Sequence, residues 1–279
     1  MPDALEERAL VDRALAGDRR ALEEVVGIVR DPVYRLALRM EWRPPDAEDA
    51  TQEILIRIVT NLGSWRGSAA LTTWAYRIAA NHLLNRRRAH PAPEVSFDSL
   101  GAELDRSAAA EPYGGVDAEL LADEVRLRCT QAMLQCLGPE ERLVYVLGDI
   151  VRLPSRDAAW IVGVGDAAYR KRLQRARERV RDFTAGRCGM LDPGATCHCT
   201  RRVTGARAQG RLRRDLPFLA RHAVSGRDLR AAAAELAELR SVAALMRSHP
   251  DYAAPGALAA AVDGLLRSRR YAVLDGDDR

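Results

Sequence analysis

Apolar residues recur every three or four positions in several blocks of the chain, which is the spacing of amphipathic helices. The first block runs from about Leu5 to Met40. A second block, RPPDAEDATQEILIRIVTNLG at 43–63, follows two prolines, and we expect Asp46 to be its N-cap and Asp49 the capping-box partner. Its apolar stripe consists of Ala50, Ile54, Ile58 and Leu62. These blocks predict an all-α fold.

A third block, LTTWAYRIAANHLLNRRR at 71–88, has one apolar face and ends in three consecutive arginines. The face consists of Leu71, Trp74, Ala75, Ile78 and Leu83. The periodicity is then lost over 90–118, where proline, glycine, serine and acidic residues accumulate. This composition is typical of a connection and not of a packed element. We therefore predict a flexible acidic linker over 90–118.

Two short helices joined by a glycine turn are predicted in LPSRDAAWIVGVGDAAYRKRLQRAR at 153–177. Ser155 can cap the first helix, Gly163 can end it in a left-handed conformation, and Asp166 can cap the second. The second helix turns a basic and polar set outward, namely Arg170, Lys171, Arg172, Gln174, Arg175 and Arg177. This combination favours a DNA-binding helix-turn-helix, although a helical hairpin with a basic surface has the same pattern.

Composition supports a mostly helical protein of about two domains. Ala, Leu, Arg and Glu dominate, and 47% of the 279 residues are apolar. The charges are segregated, because residues 166–214 contain 14 Arg or Lys against 4 Asp or Glu, whereas residues 91–124 contain 9 acids and one arginine. A basic segment of this kind is typical of proteins that bind the phosphate backbone of nucleic acids.

The N-terminal sequence MPDALEERALVDRAL is charged throughout, and no segment approaches the roughly 18 apolar residues of a membrane span. We therefore expect a cytoplasmic protein. Thiols stay reduced in that compartment, so the five cysteines are expected to be free thiols or metal ligands before disulfides.

Three cysteines and a histidine lie close together in CGMLDPGATCHC at 188–199. Thiolates with imidazole suit zinc or another thiophilic ion such as copper(I). The candidate ligands are Cys188, Cys197, His198 and Cys199, with His222 as an alternative fourth ligand. Because the spacing is not that of paired C-x-x-C motifs, a metal or redox sensor, a structural metal site and free thiols all stay open. Cys129 and Cys136 are seven residues apart and are expected to be core residues.

In this order and at this spacing, the blocks resemble the extracytoplasmic-function sigma factors of bacterial RNA polymerase over about residues 5–183. DAEDATQEILIRIV resembles the polymerase-docking helix of that family, SWRGSAALTTWAYRIAANHLLNRRR its minus-10 segment, and LPSRDAAWIVGVGDAAYRKRLQRAR its minus-35 reader. The resemblance implies sigma region 2 at 1–89, the flexible linker at 90–118 and sigma region 4 at 119–184. The remaining residues, 185–279 with the Cys/His cluster, form a C-terminal extension that the basic two-domain plan of the family lacks.

The resemblance also implies which residues bind. The polymerase-binding residues would be Asp49, Gln52 and Glu53. Promoter opening needs aromatic and basic side chains that hold unstacked bases, and the expected set is Trp65, Tyr76, Arg77, Asn81, Arg86, Arg87 and Arg88, with Trp74 in the core. In the recognition helix, the residues expected at base edges or thymine methyl groups are Ala167, Ala168, Arg170, Lys171 and Gln174, and those expected at phosphates are Arg172 and Arg175.

The implied function is transcription initiation without catalysis and without a required cofactor, with core RNA polymerase and promoter DNA as partners and no membrane. Regulation is expected from metal or redox chemistry in the C-terminal extension, or from a separate anti-sigma factor. Two other classes stay open. A helix-turn-helix regulator that acts without core polymerase leaves the aromatic and basic segment at 65–88 unexplained. A metal-dependent enzyme would need paired carboxylates or a nucleophile with a base, and the sequence near the cysteines offers neither.

Overall fold

The computed structural model of the chain describes residues 4–41, 43–90, 95–106, 110–212 and 241–267. Within these ranges the regular structure is helical, and the β-structure is a single isolated bridge between Cys188 and Cys197. The predicted all-α fold is confirmed. None of the helices in these ranges is long and apolar enough to cross a membrane.

The described ranges contain the following helices in chain order. They are α1 (Ala4–Leu15), α2 (Arg19–Met40), α3 (Pro44–Thr60), α4 (Leu71–Ala89), α5 (Phe97–Arg106), α6 (Ala118–Gln135), α7 (Pro139–Tyr145), α8 (Ser155–Val162), α9 (Asp166–Thr184), α10 (Cys199–Ala208), α11 (Val242–Arg247) and α12 (Gly256–Arg267). A 3₁₀ turn at Leu62–Ser64 follows α3, and a π-helical turn at Val146–Ile150 follows α7.

The first compact unit comprises Met1–Pro91, Pro154–Asp166 and Tyr252–Arg279. In this unit α2 packs against α1, α3 and α4, α8 packs against α4, and α12 packs against α3. Its buried apolar residues include Val25, Val29, Ile54, Leu55, Ile58, Leu71 and Leu83. Several of them belong to the stripes that the periodicity predicts, so burial of apolar area drives this packing.

A buried carboxylate from α1 holds the start of α4. Glu7 Oε2 accepts the backbone N–H of Leu71 at 2.9 Å, and Glu7 is only 3% exposed. The N-cap residue Ala70 has no side chain that could accept this hydrogen bond. A negative charge at a helix N-terminus also interacts favourably with the helix dipole. Glu7 therefore anchors the helix that carries the predicted minus-10 residues.

The second compact unit comprises Ala92–Leu153 and Ala167–Asp251. A fully buried arginine closes the end of α6 in this unit. Arg142 Nε donates to the carbonyl oxygen of Leu134 at 2.8 Å, and Nη2 donates to the carbonyl oxygens of Gln135 at 3.2 Å and Leu137 at 3.1 Å. The last carbonyl groups of a helix lack partners within the helix, so Arg142 supplies them from α7.

Two helix starts differ from the prediction. α3 begins at Pro44 with Arg43 as N-cap, so Asp46 is not the N-cap; the two prolines fix the backbone of the first turn without a side-chain cap. α8 begins at Ser155 with Pro154 as N-cap, and Ser155 Oγ instead donates to Asp166 Oδ1 at 2.5 Å. The left-handed cap at Gly163 is confirmed, with φ of 71°.

The predicted linker at 90–118 contains a helix that the sequence analysis missed. In α5, Leu100 and Leu104 are buried, the helix packs against α6, and the ring centroid of Phe97 lies 4.9 Å from that of Phe183. These three apolar residues have the i, i+3, i+7 spacing of a helix face, but acidic residues and glycine obscure it. The boundaries of the four predicted segments stay predictions.

Candidate nucleic-acid interface

An open cleft of about 590 Å³ lies on the surface formed by α3 and α4. Its lining includes Glu53, Arg57, Trp74, Arg77, Asn81 and Arg86. The side chains combine guanidinium groups, an amide and the edge of an indole ring. This is the mixture that holds a single-stranded nucleic acid by charge, hydrogen bonding and stacking. Three predicted DNA-binding residues, Arg77, Asn81 and Arg86, meet here.

Acidic groups set the charge at one end of the cleft. Arg86 lies 3.4 Å from Glu53 and 4.0 Å from Glu41, measured between guanidinium nitrogens and carboxylate oxygens. His82 Nε2 lies 3.5 Å from Glu53 Oε2. Burial lowers the pKa of His82 despite the nearby carboxylate, and the guanidinium groups of Arg57 and Arg86 lower it further. The His82 imidazole is therefore neutral near pH 7.

The aromatic residues are placed differently from the prediction. Trp65 and Tyr76, which we expected to stack on bases, are 4% and 8% exposed, and Trp65 Nε1 donates to the carbonyl oxygen of Ala69 at 3.0 Å. Trp74, expected to be a core residue only, is mostly buried but lines the cleft. The apolar stripe of α4 predicts which residues of that helix are buried by its own pattern. It does not show that Trp65 and Tyr76, which lie outside the stripe, are buried by other elements of the unit.

Arg77 has an aromatic partner in α8. Its Nη1 donates to the carbonyl oxygen of Trp160 at 2.6 Å, and its guanidinium carbon lies 4.4 Å from the centroid of the Trp160 indole ring. A cation over an indole face is a favourable contact. Trp160 is 38% exposed, and no sequence motif pointed to it. A phosphate would have to compete with Trp160 for Arg77.

The predicted polymerase-binding residues lie on the accessible side of α3. Asp49 and Glu53 are exposed and Gln52 is partly exposed, whereas Ala50 and Ile54 are buried. At the end of α4, Arg87 is partly exposed, and Arg88 is exposed and donates through Nη1 to Asn85 Oδ1 at 3.1 Å. The predicted acidic and basic residues therefore occupy solvent-facing positions of the first unit.

The predicted recognition helix α9 exposes a polar face. Ala167, Ala168, Arg170, Lys171, Gln174 and Arg175 are exposed, and Arg172 is partly exposed. Arg172 Nη1 lies 3.5 Å from Glu140 Oε2, and Gln174 Nε2 donates to Glu178 Oε1 at 2.8 Å. On the opposite face Tyr169 is buried and its hydroxyl donates to the carbonyl oxygen of Val144 at 3.1 Å. The residues predicted to contact DNA therefore share one accessible surface.

Two features that support α9 were not found in the sequence. Arg177, counted among the outward basic residues, forms an ion pair with Asp149. At Gly148, an added Cβ would lie 2.7 Å from both Leu173 Cδ2 and the Tyr169 hydroxyl oxygen, so α9 packs against the π-helical turn without room for a side chain. A glycine within an apolar run is the only signal that could have indicated this close approach.

The predicted metal ligands lie in the turn between α9 and α10 and, for Cys199, at the first residue of α10. Cys188, Cys197 and Cys199 are free thiols of intermediate exposure, and Cys197 is joined to Cys188 by the β-bridge. Among the described residues, no group of three or more His, Cys, Asp or Glu side chains is already arranged to hold a metal ion. His222 lies outside the described residues. The metal assignment therefore stays a prediction.

Two solved structures are similar to this chain. One is the sigma factor RpoE in complex with the anti-sigma factor NepR from Bartonella quintana, with 21% identity, 57% of this chain and 94% of that chain covered, and a TM-score of 0.42. The other is CnrH in complex with the cytosolic domain of CnrY, with 21% identity, 66% and 98% covered, and a TM-score of 0.47.

Sequence comparison identifies the family. Residues 25–91 match the sigma-70 region 2 family. The chain is 33% identical to the ECF RNA polymerase sigma factor SigE of Mycolicibacterium smegmatis, over 61% of this chain and 65% of SigE. It is 30% identical to the RNA polymerase sigma-H factor of Pseudomonas aeruginosa, over 63% of this chain and 92% of that protein, and 30% identical to SigW of Bacillus subtilis, over 59% and 89%. With this coverage of relatives that are themselves sigma factors, the chain belongs to the extracytoplasmic-function sigma factors of RNA polymerase.

Proposed function

We propose that the chain binds core RNA polymerase in the cytoplasm, recognises the minus-35 and minus-10 elements of promoters, and promotes DNA opening without catalysis of its own. The observation that carries this proposal is the cleft on α3 and α4. All its lining residues lie between Glu53 and His90, within the segment that matches sigma-70 region 2. The cleft therefore lies entirely within the part of the chain that is similar to sigma-70 region 2.

Opening of the minus-10 element is assigned to the cleft. Asn81 is exposed at its surface and can form hydrogen bonds with the edge of an unpaired base. Arg77 and Arg86 supply positive charge for the backbone, and Trp74 supplies an aromatic edge. Holding unstacked bases in this way needs neither a nucleophile nor a metal ion.

Recognition of the minus-35 element is assigned to the exposed face of α9. A helix in the major groove reads bases through residues near its start and contacts phosphates through its flanks. Arg170, Lys171 and Gln174 are exposed at such positions and have the donor groups that base edges accept. The neutral surface of Ala167 and Ala168 can contact thymine methyl groups.

Polymerase docking is assigned to the accessible side of α3. Glu53 also contacts Arg86 and His82, so its substitution would disturb the cleft as well as the docking surface. Within the described part of the chain, Asp49 and Gln52 form no hydrogen bond or ion pair with the residues that line the cleft, and they are therefore the better test of docking.

Run-off transcription with core RNA polymerase tests the proposal. The wild-type chain should direct initiation from a cognate promoter, whereas the Asp49→Ala/Gln52→Ala double variant should lose binding to core polymerase and initiation together. Glu24→Ala, an exposed acidic position on α2, is the matched control and should behave as wild type. Promoter-specific binding by the chain alone, with no effect on core polymerase, would instead favour the helix-turn-helix regulator that acts without polymerase.

Regulation remains a separate prediction. Two kinds of regulation are predicted, and they differ in what they need. If the C-terminal extension responds to metal or redox state, transcription by the purified chain with core polymerase should change when zinc or an oxidant is added. If a separate anti-sigma factor regulates the chain, transcription should change only when that protein is added. Run-off transcription with and without zinc or a thiol oxidant distinguishes them.

A further inference from the structure

Four of the five cysteines meet where α10 packs against α6. The two helices share a hydrophobic cluster centred on the buried residues Val125 and Val203, and Cys199 packs at its edge. Cys129 lies four residues after Val125, and Cys199 lies four residues before Val203. Since Cys199 packs against the cluster that contains Val125, and Cys129 lies one helical turn after Val125, the contact of α6 with α10 brings these two cysteines toward each other.

The other two cysteines are brought to the same place by a tight turn after α9. Gly189 N–H donates to the carbonyl oxygen of Cys197 at 2.9 Å, and Cys197 N–H donates to the carbonyl oxygen of Arg187 at 3.1 Å. The backbone N–H groups of Leu191 and Asp192 donate to the carbonyl oxygen of Cys188 at 3.0 and 2.9 Å. These backbone hydrogen bonds fix the turn that holds Cys188 beside Cys197.

Electrostatic interactions show that the four thiols form one group. Burial raises the pKa of each thiol, and each of the six pairs among Cys129, Cys188, Cys197 and Cys199 interacts. Cys136 is not part of the group, because the charges that act on it are those of Arg142 and Arg179. The four thiols therefore lie near one another in the second unit.

Nearby guanidinium groups compensate negative charge at this place. Arg126 is 2% exposed, acts on Cys199, and has a buried Nη2 without a hydrogen-bond partner. Arg202, with a side chain 12% exposed, acts on Cys129 and Cys197. A buried donor without a partner is costly, so an anionic group built from these thiols would give Arg126 Nη2 an acceptor.

We propose that Cys129, Cys188, Cys197 and Cys199 form a tetrathiolate site for one zinc ion, which fastens the start of the C-terminal extension to α6. Four thiolates with tetrahedral geometry and no open position are typical of structural zinc sites. The complex carries a net negative charge, which Arg126 and Arg202 offset as outer-shell partners.

This site differs from the ligand set that the sequence predicts, because Cys129 replaces His198. The His198 ring lies against Gly189, where an added Cβ would be 2.6 Å from Nδ1. His198 is not among the groups that act on the four thiols. The described side chains are not themselves in a coordination arrangement, so zinc binding would draw the four sulfurs closer together.

Zinc titration of the full-length chain under reducing conditions, followed by mass-spectrometric metal analysis and competition with a chelator, tests the proposal. Wild type, His198→Ala and the matched control Cys136→Ser should bind about one zinc ion per chain with the same affinity. The affinity of Cys129→Ser for zinc should be lower by a factor of about 100 or more, since even the loss of an outer-shell partner lowers metal affinity 10–100-fold. Equal affinity of Cys129→Ser and wild type, or an equal loss in His198→Ala, would overturn the tetrathiolate.

Alkylation of the wild-type chain tests the same four ligands without a substitution, and it therefore applies even if Cys129→Ser does not fold. Thiols that bind zinc react slowly with iodoacetamide, and peptide mass spectrometry identifies which ones are protected. Zinc should slow the alkylation of Cys129, Cys188, Cys197 and Cys199 together and leave that of Cys136 unchanged. Alkylation of Cys129 at the same rate with and without zinc would refute the site.

Discussion

Arg177 on α9 and Asp149 in the π-helical turn form a bidentate ion pair. Arg177 Nε lies 2.9 Å from Oδ2 and 3.1 Å from Oδ1 of Asp149, and Nη2 lies 2.5 Å from Oδ1. Asp149 is 8% exposed, and its carbonyl oxygen accepts a hydrogen bond from Arg247 Nη1 at 2.7 Å. A bidentate pair of this kind fixes the helix that is proposed to read DNA, so Arg177 has a structural role that its charge alone does not reveal.

Replacing Arg177 should therefore reduce stability. Arg177→Ala leaves the buried Asp149 carboxylate without its main partner, and we expect the free energy of unfolding to fall by about 1–3 kcal/mol. Arg175→Ala, an exposed position on the same helix, should change it by less than about 0.5 kcal/mol. Urea unfolding followed by circular dichroism measures both. Equal midpoints for the two variants would contradict the structural role of the pair.

Substitutions of the exposed residues of α9 should have two different effects on DNA binding, depending on whether the residue contacts a phosphate or a base. Arg172→Ala should weaken binding to all DNA sequences and flatten the salt dependence by about one phosphate contact, a slope change near 0.9. Arg170→Ala and Gln174→Ala should instead relax the preference at one or two positions of the minus-35 element, at about 1–3 kcal/mol per base pair. Fluorescence anisotropy with cognate and scrambled duplexes at several salt concentrations measures these effects. Indistinguishable profiles for the three variants would contradict the assignment.

The cleft residue Asn81 and the buried Trp65 should behave differently when each is replaced by alanine. Asn81→Ala should leave the free energy of unfolding unchanged and lower the permanganate reactivity of thymines in the opened promoter at least several-fold. Trp65→Ala should destabilise the fold by about 3–5 kcal/mol, because it removes a buried indole. A Trp65→Ala variant as stable as wild type but defective in opening would restore Trp65 to the DNA-contacting set.

His82 should make stability depend on pH. Because burial lowers its pKa in the folded state, the unfolded chain takes up a proton near pH 6.5 while the folded chain stays neutral. The stability due to neutral His82 is present above that pH and is lost as pH falls from about 6.5 through the lower folded pKa. His82→Gln should lose less stability than wild type between pH 7 and pH 5 in urea unfolding. Identical pH profiles would show that His82 titrates normally.

Periodicity predicted most of the fold, because a helix with one apolar stripe can be recognised from its own residues. Gly163 as a left-handed cap followed from local chemistry and is confirmed. Burial by other elements could not be predicted in this way. Trp65 and Tyr76 lie off the stripe of α4 but are covered by the rest of the unit.

The periodicity of apolar residues also could not predict contacts between residues that are far apart in sequence. Cys129 lies on α6 and was interpreted as a core residue, and only the packing of α10 brings it to the other three cysteines. The helix α5 was missed for a different reason. Its three apolar positions are too few to stand out from the acidic residues around them, and its stability comes from packing against α6 and Phe183.

Gly148 limits how this chain can change in evolution. The only substituent that fits between the π-helical turn and α9 is hydrogen, since any Cβ would come within 2.7 Å of Tyr169 and Leu173. An alanine there would force the side chains of Tyr169 and Leu173, or the helix that carries them, to move. Replacements on the face of α9 would change the proposed reading surface directly, whereas a replacement at position 148 would act on it from the buried side of the helix.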